Sequence, residues 1–264
     1  MSDSRKIPIY HLASHARAGE TLCLKLLNAH SRIHVPQQIT HYESASSKEL
    51  LRTIMKDEIQ SIDLTSSYAK DAMLTSNSII LIKQGVWAPS KFAGFGLIRN
   101  PYSFVHSMLE YNRKEGLDTG YTLRGKYKKT YERLMRWSRK MDKGICKKIG
   151  RNRNPINALC IFYNHRINWI LENTELVHRY EDLVNEPEST LGTMCAYLGV
   201  PFESKLLSAH QSYSHEAGHG MNTLGRAIDK DSLNKWRALD PKELEKISSL
   251  TQKTQKNAGY DLYR

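Results

Sequence analysis

The beginning of the chain constrains the fold most, because an apolar run leads through a short turn straight into a helical pattern. The run extends from Ile7 to Ala13, the turn holds Arg17 and Gly19, and the helical pattern covers 19–29. A buried strand that is followed by a small-residue turn and a helix directs backbone N–H groups towards an anion. Gly19 lets the backbone approach that anion closely, and Arg17 adds a permanent, planar positive charge. This segment therefore predicts a phosphate- or sulfate-binding site.

Strand-like runs and helical patterns alternate along the rest of the chain. Short apolar runs predict strands at 33–35, 78–82, 92–98 and 176–178. Helical spacing predicts helices that begin at Pro101 and that cover 126–149, 157–173, 188–198, 232–239 and 241–258. Such alternation is typical of an α/β fold, with a central, mostly parallel sheet flanked by helices. Because no repeat or clear linker interrupts the pattern, we expect residues 1–264 to form a single domain.

Three cations mark the predicted carboxyl edge of this sheet. Arg17, Lys83 and Arg99 each follow a predicted strand or lie in the loop beyond it. Ligands of parallel sheets bind at the carboxyl ends of the strands. We therefore expect these three side chains to form a cradle for an anion.

Two common phosphate motifs are absent from the first loop. A Walker A motif requires G-x-x-x-x-G-K-[ST], but here Gly19 is followed by Glu20 and Thr21. The dinucleotide fingerprint G-x-G-x-x-G is also missing after the first strand. These absences disfavour an ordinary kinase or dehydrogenase.

Five stretches, in order along the chain, resemble motifs of the sulfotransferases that use 3′-phosphoadenosine 5′-phosphosulfate (PAPS). They are Arg17–Leu22, Leu27–Ile33, Leu97–Pro101 with Val105–Met108, Arg179–Val184 with Pro187–Glu188 and Leu198–Phe202, and Ser232–Arg237. The first is similar to the family's R-S-G-T-T-L loop, and the third to its 3′-phosphate motif, an Arg and a Ser eight residues apart. The chain is thus identified as resembling bacterial and tyrosylprotein-type sulfotransferases, whose fold is similar to that of P-loop NTPases.

The resemblance implies a PAPS-dependent sulfotransferase and assigns a role to individual residues. The loop that holds the 5′-phosphosulfate would consist of Arg17, Ala18, Gly19, Glu20, Thr21 and Leu22. Arg99 and Ser107 would bind the 3′-phosphate, and Lys83 would stabilise the leaving phosphate oxygen beside Arg17. The rest of the nucleotide site would comprise Tyr180, Asn222, Leu224, Arg226 and Lys235. Positioned cations suit this chemistry, because charge builds on the leaving oxygen as it does in phosphoryl transfer.

Glu20 departs from the family pattern, since Thr usually stands at its position. A carboxylate beside a bound phosphate is repelled unless it points away or pairs with a cation. Two interpretations remain open: an acid that the helix dipole favours at an N-terminus, or a catalytic group. The first is the better supported.

The residue at the position of the general base is the second departure from the family pattern. Tyrosylprotein-type relatives carry a Glu where this chain has Gln38, and an amide cannot accept a proton at neutral pH. Candidates downstream are His41 and Glu43, of which His41 has the more suitable unperturbed pKa. His34 is a further candidate, and an amine acceptor would need little help from a base.

Histidine spacing suggests a metal site only superficially. His215 and His219 fit the H-E-x-x-H pattern, but they stand in a Gly-rich stretch where a zinc protease needs a helix. No third ligand is evident for any His pair, so we predict no bound metal.

A basic segment carries most of the net charge of +12. From Lys126 to Arg153 there are twelve Lys or Arg residues and two acids. The helical spacing predicts a basic helical insertion at about 120–155, which could pack its apolar side inward or form a lid over the acceptor. Aromatic residues alternate with these cations, at Tyr127, Tyr131 and Trp137. The alternative of a non-catalytic protein that binds nucleic acid or another polyanion therefore stays open.

The composition of the chain bears on the state of its cysteines, its location and its partners. The four cysteines include no C-x-x-C pair, which predicts reduced structural thiols. No apolar run approaches the roughly 20 residues of a membrane helix, and no apolar leader precedes the first strand. We therefore expect a cytoplasmic enzyme without a membrane partner, acting on the hydroxyl or amine of a small molecule such as a natural product. A nucleic-acid partner is not expected, and the sequence leaves the oligomeric state open.

Overall fold

A mostly parallel sheet lies at the centre of the protein. The computed structural model describes residues 6–36, 44–84, 92–114, 127–213 and 228–262. Within them the strands are β1 (Lys6–Ser14), β2 (Ile33–His34), β3 (Ser61–Asp63), β4 (Ile79–Gln84), β5 (Ala93–Ile98) and β6 (Val177–Arg179). Five strands pair in parallel in the order β2-β4-β1-β5-β6, and β3 pairs antiparallel with the first residues of β1.

Helices cover both faces of this sheet. They are α1 (Glu20–Asn28), α2 (Ala45–Asp57), α3 (Ser67–Asp71), α4 (Pro101–Lys114), α5 (Lys128–Met141), α6 (Lys143–Arg151), α7 (Pro155–Asn173), α8 (Tyr180–Asn185), α9 (Pro187–Tyr197) and α10 (Pro241–Asn257). In the described part of the chain, 3-10 helices also cover Ser204–Tyr213, Lys230–Leu233 and Lys235–Ala238. The predicted α/β fold with a central parallel sheet is confirmed.

Alternating side chains of the strands supply the two halves of the core. Leu12 of β1 and Leu81 of β4 pack with α1 and α9 on one face of the sheet. Ile9 and Ile80 point to the opposite face, where they pack against α2 and α3. Successive residues of a strand alternate between faces, so each strand that is buried on both sides reads as an almost continuous apolar run.

The order of the strands fixes where a ligand can bind. From β1 the chain crosses to β2 at one edge of the sheet, whereas from β5 it proceeds to β6 at the other edge. Connections that leave neighbouring strands in opposite directions open a crevice at the carboxyl ends of those strands. The loops that begin at His15 and Arg99 border this crevice, because β1 ends at Ser14 and β5 ends at Ile98.

Several elements differ from the sequence expectation. Strand β4 extends through Lys83 to Gln84, because the buried pairing with β1 continues to Ala13. The three residues of β3 carried no predicted strand. The segment 232–239 forms two 3-10 helices, Lys230–Leu233 and Lys235–Ala238, in place of one helix.

The basic segment also differs, since it folds into two helices, α5 and α6, which we call the basic hairpin (128–151). Asp142 separates them with an extended backbone, and its carboxylate accepts a hydrogen bond from the Ile145 N–H at 2.7 Å, which caps α6. An Asp that caps the following helix competes with continuation of the preceding one. Residues 115–126, including the start of the predicted insertion, lie outside the described residues.

The basic hairpin is strongly two-sided. Leu134 and Ile149 are completely buried and pack with Phe162 of α7, and Tyr131 is buried beside them. The exposed cations of this segment are Lys128, Lys129, Arg136, Arg139, Lys140, Lys143, Lys147, Lys148, Arg151 and, just beyond α6, Arg153.

All four cysteines are buried and none forms a disulfide. Burial raises the pKa of the Cys195 thiol to about 11 and that of Cys160 to about 12, so these thiols stay protonated at neutral pH. Among the described residues, no helix has both the length and the apolar character needed to cross a bilayer.

Candidate functional site

The loop after β1 has the backbone geometry that an anion site needs. Arg17 and Gly19 both have left-handed backbones, with φ of 67° and 92°. Gly19 precedes α1, whose first turn exposes N–H groups that have no partner within the helix. A Cβ atom at Gly19 would lie 2.2 Å from Cδ2 of Tyr180. Glycine is therefore required here both by the positive φ and by the close approach of the Tyr180 ring.

The other predicted loop residues lie beside this turn. Ala18 is completely buried, whereas Thr21 and Leu22 occupy the first turn of α1 and are partly exposed. The position of the loop agrees with the sequence expectation, because it stands at the carboxyl end of the central strand.

Arg99 is the most distinctive cation of the crevice. Its side chain is almost enclosed, with the residue only 9% exposed. One terminal nitrogen donates to the carbonyl of Arg17 at 3.2 Å and the other to the carbonyl of Ser232 at 2.7 Å. The guanidinium carbon also lies 4.3 Å from the centre of the Tyr180 ring, a cation–π contact.

Arg99 forms no ion pair within the described residues, although the Glu181 carboxylate attracts it from beyond ion-pair distance. No carboxylate there lies within ion-pair distance of Arg99, and its Nε has no hydrogen-bond partner among them. Burial lowers the pKa of the Arg99 guanidinium from its ordinary value, although Tyr180 and Glu181 oppose that effect. A guanidinium stays charged even so, and a buried charge without an acid partner favours an incoming anion.

The backbone of Arg99 is fixed by two buried side chains. Its N–H donates to Nε2 of His15 at 3.2 Å, and its carbonyl accepts from the Tyr163 hydroxyl at 2.8 Å. Nδ1 of His15 lies 2.9 Å from the carbonyl of Ala16. This geometry requires a neutral His15 that carries its proton on Nδ1, and burial lowers its pKa to about 3. His15 thus ties the loop after β1 to the loop after β5.

Arg17 points towards α4. Its Nε donates to the Ser107 hydroxyl at 2.9 Å, and its guanidinium lies 4.8 Å from the centre of the Tyr111 ring. The sequence assigned Ser107 to the same phosphate as Arg99, whereas the hydrogen bond here joins Ser107 to Arg17. Arg133 of the basic hairpin lies 4.6 Å from the centre of the same Tyr111 ring, so α5 reaches the border of the crevice.

Lys83 and Glu20 form an ion pair at the carboxyl end of β4. The Lys83 Nζ atom lies 2.9 Å from one carboxylate oxygen of Glu20, and the Ser14 hydroxyl donates to the other oxygen. The attraction of Glu20 raises the pKa of Lys83, against the opposing effects of burial and of Arg17. A carboxylate beside a bound phosphate must either point away or pair with a cation. The Glu20 carboxylate pairs with a cation, Lys83.

Arg166 of α7 is a further buried cation at the same edge. Its Nε donates to the carbonyl of Ser14 at 2.8 Å, and an Nη atom donates to the carbonyl of Gln84 at 2.9 Å. These bonds join the last residues of β1 and β4. Burial lowers the pKa of Arg166 to about 10, while the Glu20 carboxylate opposes that shift. Arg166 is therefore charged at neutral pH.

The C-terminal segment closes one side of the crevice. The Ser232 hydroxyl lies 2.8 Å from the Tyr180 hydroxyl, and Trp236 packs against Tyr102 with the rings tilted by 33° and their centres 5.2 Å apart. Lys235 lies in the same segment and is exposed. Tyr180 thus contacts Gly19, Arg99 and Ser232 and joins the three loops that border the crevice.

Several predicted residues lie outside the described part of the chain. They are the base candidates His41 and Glu43 with Gln38, the nucleotide-site candidates Asn222, Leu224 and Arg226, and the pair His215 and His219. The remaining base candidate, His34, ends β2 and is partly exposed, and burial lowers its pKa. Within the described residues, no three His, Cys, Asp or Glu side chains come together as a metal site requires.

Sequence reasoning missed His15, Tyr163, Arg166 and Ser232. A usable signal existed for Arg166, which is spaced three and four residues from Tyr163 and Ile170 and so shares the buried face of α7. An Arg on the apolar face of a helix needs buried acceptors, here two strand-end carbonyls. His15 carried no such signal, because its partner is a backbone N–H that is 84 residues away.

Comparisons with solved structures identify the fold. The sulfotransferase domain of the curacin biosynthetic pathway matches 97% of this chain and 99% of its own, with 19% identity and a TM-score of 0.53. The sulfotransferase domain of the Synechococcus PCC 7002 olefin synthase matches 99% of this chain and 98% of its own, with 17% identity and a TM-score of 0.51. A sulfotransferase from Alicyclobacillus acidocaldarius covers 97% of both chains, with 12% identity and a TM-score of 0.50.

These likenesses extend over nearly the whole chain, so its fold is that of the sulfotransferases. At these identities the likeness establishes the fold alone. No protein-family model matches the sequence, and no curated protein matches it.

Proposed function

We propose that this protein is a sulfotransferase that moves a sulfuryl group from PAPS to a hydroxyl or amine of a small molecule. The observation that carries the proposal is the buried guanidinium of Arg99, which has no acid partner among the described residues and stands at the carboxyl edge of a sulfotransferase fold. A buried cation held by carbonyls retains attraction for an anion.

The donor set suits a nucleotide with two separate anionic groups. Arg17 and the N–H groups that follow Gly19 would hold the 5′-phosphosulfate, because the turn and the start of α1 present donors there. Arg99 would hold the 3′-phosphate. Ser107, which contacts Arg17, would serve either phosphate. Tyr180, Lys235 and the residues Asn222, Leu224 and Arg226 would complete the nucleotide site.

In the transfer, the bond between sulfur and the phosphate oxygen breaks, and a bond forms between sulfur and the acceptor oxygen or nitrogen. The leaving phosphate oxygen keeps the electron pair, and the acceptor gives up a proton. Lys83 would stabilise the charge on that oxygen, with Arg17 beside it, because preorganised cations are most effective where charge develops. The proton would pass to His41, Glu43 or His34, or to solvent when the acceptor is an amine.

The acceptor that we propose is a natural product or another small metabolite. Two of the structurally similar proteins are domains of a biosynthetic pathway and of an olefin synthase, which supports an acceptor of that kind. We further propose a cytoplasmic location, since four unpaired, buried thiols suit a reducing compartment.

Calorimetry with 3′,5′-adenosine bisphosphate (PAP) tests the donor site. We expect one-to-one binding at micromolar ligand and clearly weaker binding of 5′-AMP, which lacks the 3′-phosphate. Absence of PAP binding would overturn the proposed function. A screen of host metabolites with radiolabelled PAPS would then identify the acceptor.

The basic hairpin supports a second candidate function, binding of a polyanion. Its exposed cations present a positive surface to solvent. None of the aromatic residues that the sequence interleaves with them is exposed, however: Tyr131 is buried, and Tyr127 and Trp137 are half-buried. Stacking platforms for nucleobases need accessible rings, so this candidate ranks below the sulfotransferase.

A further inference from the structure

The Glu20–Lys83 ion pair is the feature of the crevice that the proposed donor chemistry does not require. Glu20 is only 8% exposed although it starts a helix. Both of its carboxylate oxygens have partners, Nζ of Lys83 on one and the Ser14 hydroxyl on the other. The carboxylate therefore joins α1 to the carboxyl ends of β1 and β4.

The helix dipole accounts for part of this arrangement. An acid in the first turn is favoured by the partial positive charge of the helix N-terminus, and that favourable interaction needs neither burial nor a specific cation. The 2.9 Å contact with Lys83 is a second and separate interaction. It fixes the direction of a flexible side chain that would otherwise adopt many rotamers.

We propose that Glu20 is a positioning residue for sulfuryl transfer, which holds the Lys83 ammonium at the carboxyl end of β4, where the donor's leaving oxygen is expected. The inference rests on the proposed function, and it assigns a role to the residue by which this loop departs from the sulfotransferase motif. Glu20 touches neither donor nor acceptor in this role and acts through Lys83.

The surrounding charges explain why Lys83 needs such a partner. Arg17, in the loop after β1, interacts electrostatically with Lys83, and its positive charge favours the neutral amine, as burial does. On the other side of the pair, the groups that interact with Glu20 are Arg166 of α7 and the Cys23 thiol of α1. Without the carboxylate, Lys83 would stand close to a second cation and would lose its proton at a lower pH.

The test measures the affinity for PAP by calorimetry between pH 7 and pH 10.5 in wild type and in Glu20→Gln. Wild type should keep its affinity across this range, because Glu20 raises the pKa of Lys83 above its ordinary value of 10.5, whereas the affinity of Glu20→Gln should fall towards pH 10.5 as Lys83 loses its proton. The double variant Glu20→Gln/Lys83→Met should lack this alkaline fall, which assigns it to Lys83. Glu20→Asp keeps the charge and should restore at least part of the wild-type profile.

Matched variants separate this role from a general effect of charge or folding. Glu132 pairs with Lys128 and Lys129 on the exposed face of the basic hairpin, and Glu132→Gln should leave the profile unchanged. Glu20→Thr restores the residue that is usual in the family loop and should shift the profile as Glu20→Gln does.

The outcomes distinguish the inference from the function on which it rests. Wild-type protein that does not bind PAP at all would overturn the proposed function. Binding by wild type with coincident alkaline profiles for Glu20→Gln would overturn only the positioning role. Failure of both neutral variants to fold, seen as loss of their thermal transitions, would make Glu20 a stability determinant and would equally overturn that role.

Discussion

Two regions of this protein are basic, and they hold their charges in opposite ways. At the crevice edge, which comprises the loop at 15–19 with Lys83, Arg99 and Arg166, Arg99 and Arg166 are buried and Lys83 is partly exposed, and each of these three cations is bonded to a carbonyl or a carboxylate. On the basic hairpin most cations are exposed, although Lys128 and Lys129 approach Glu132. The hairpin carries more charge, but the crevice edge orients its charges.

This difference decides which region is expected to bind a small anion. Exposed charges remain hydrated, are screened within about 8 Å at physiological salt and contribute about 0–1 kcal/mol to a pair. Cations that are already buried and oriented lose little further entropy when an anion binds, and they act in a less polar medium. The net charge of a segment is thus a poor guide to its site, and the burial of each cation is a better one.

The largest expected effect comes from removing a cation at the crevice edge. Arg99→Ala should weaken PAP binding by about 2–5 kcal/mol, a loss of roughly 30-fold or more, because a desolvated charge pair is broken. Arg139→Ala, which removes an exposed cation of the basic hairpin, should change the affinity by about twofold or less. Calorimetry at physiological salt measures both.

The nucleotide itself provides the control for Arg99. Binding of 5′-AMP should be almost unaffected by Arg99→Ala if this cation faces the 3′-phosphate. An equal loss for PAP and 5′-AMP would remove Arg99 from the 3′ site. Equal losses of PAP affinity in Arg99→Ala and Arg139→Ala would show that the crevice edge and the basic hairpin contribute alike to binding.

Much of the crevice edge could be predicted from the sequence, since its elements are local. The apolar run that became β1, the turn at Gly19 and the helix α1 follow one another directly, and each has its own pattern. The positions of Arg17 and Arg99 followed from one rule, that parallel strands end at one edge. Lys83 was placed correctly at this edge, although β4 continues one residue beyond it.

The parts that escaped prediction depend on partners that are distant in sequence. His15 binds a backbone N–H, Arg166 binds two carbonyls, and Ser232 contacts Tyr180 across the crevice. A backbone group has no residue type that a pattern could reveal, so such bonds become visible only in the folded chain. The division of the basic segment at Asp142 was missed for a different reason, since the apolar spacing continues through the cap.

The second-largest expected effect is a loss of folding stability at acidic pH. It should also differ between the crevice edge and the basic hairpin. His15 has its pKa lowered by burial to about 3, whereas an unfolded chain binds this proton near pH 6.5. The unfolded state therefore takes up a proton first as the pH falls, so this contribution to stability is present above about pH 6.5 and is lost towards pH 3. At pH 5 the loss from His15 should be about 2 kcal/mol.

Urea unfolding at pH 7.5 and pH 5 measures this difference. His15→Gln should lose less stability between the two pH values than wild type, by about 2 kcal/mol. His11 and His178, whose pKa values burial lowers to about 4, contribute equally in both proteins. His165, which interacts with Asp142 and Lys148 of the hairpin and is partly exposed, is the matched control, and His165→Gln should alter the pH dependence less. If His165→Gln altered the pH dependence of stability more than His15→Gln, the assignment of a neutral His15 would be contradicted.

The smallest effect should come from the basic hairpin, where a variant that changes Arg139, Lys140, Lys147 and Lys148 to Gln removes four exposed cations. We expect the free energy of unfolding to change by about 0.5 kcal/mol or less, because the buried side at Leu134 and Ile149 is intact. PAP affinity should stay within about twofold at physiological salt.

Binding of a single-stranded oligonucleotide should be weak in wild type and should weaken further in the variant, with a shallower dependence on salt. Tight oligonucleotide binding that the variant abolishes at physiological salt would make the hairpin a polyanion site, whereas a tenfold loss of PAP affinity would make it part of the crevice edge.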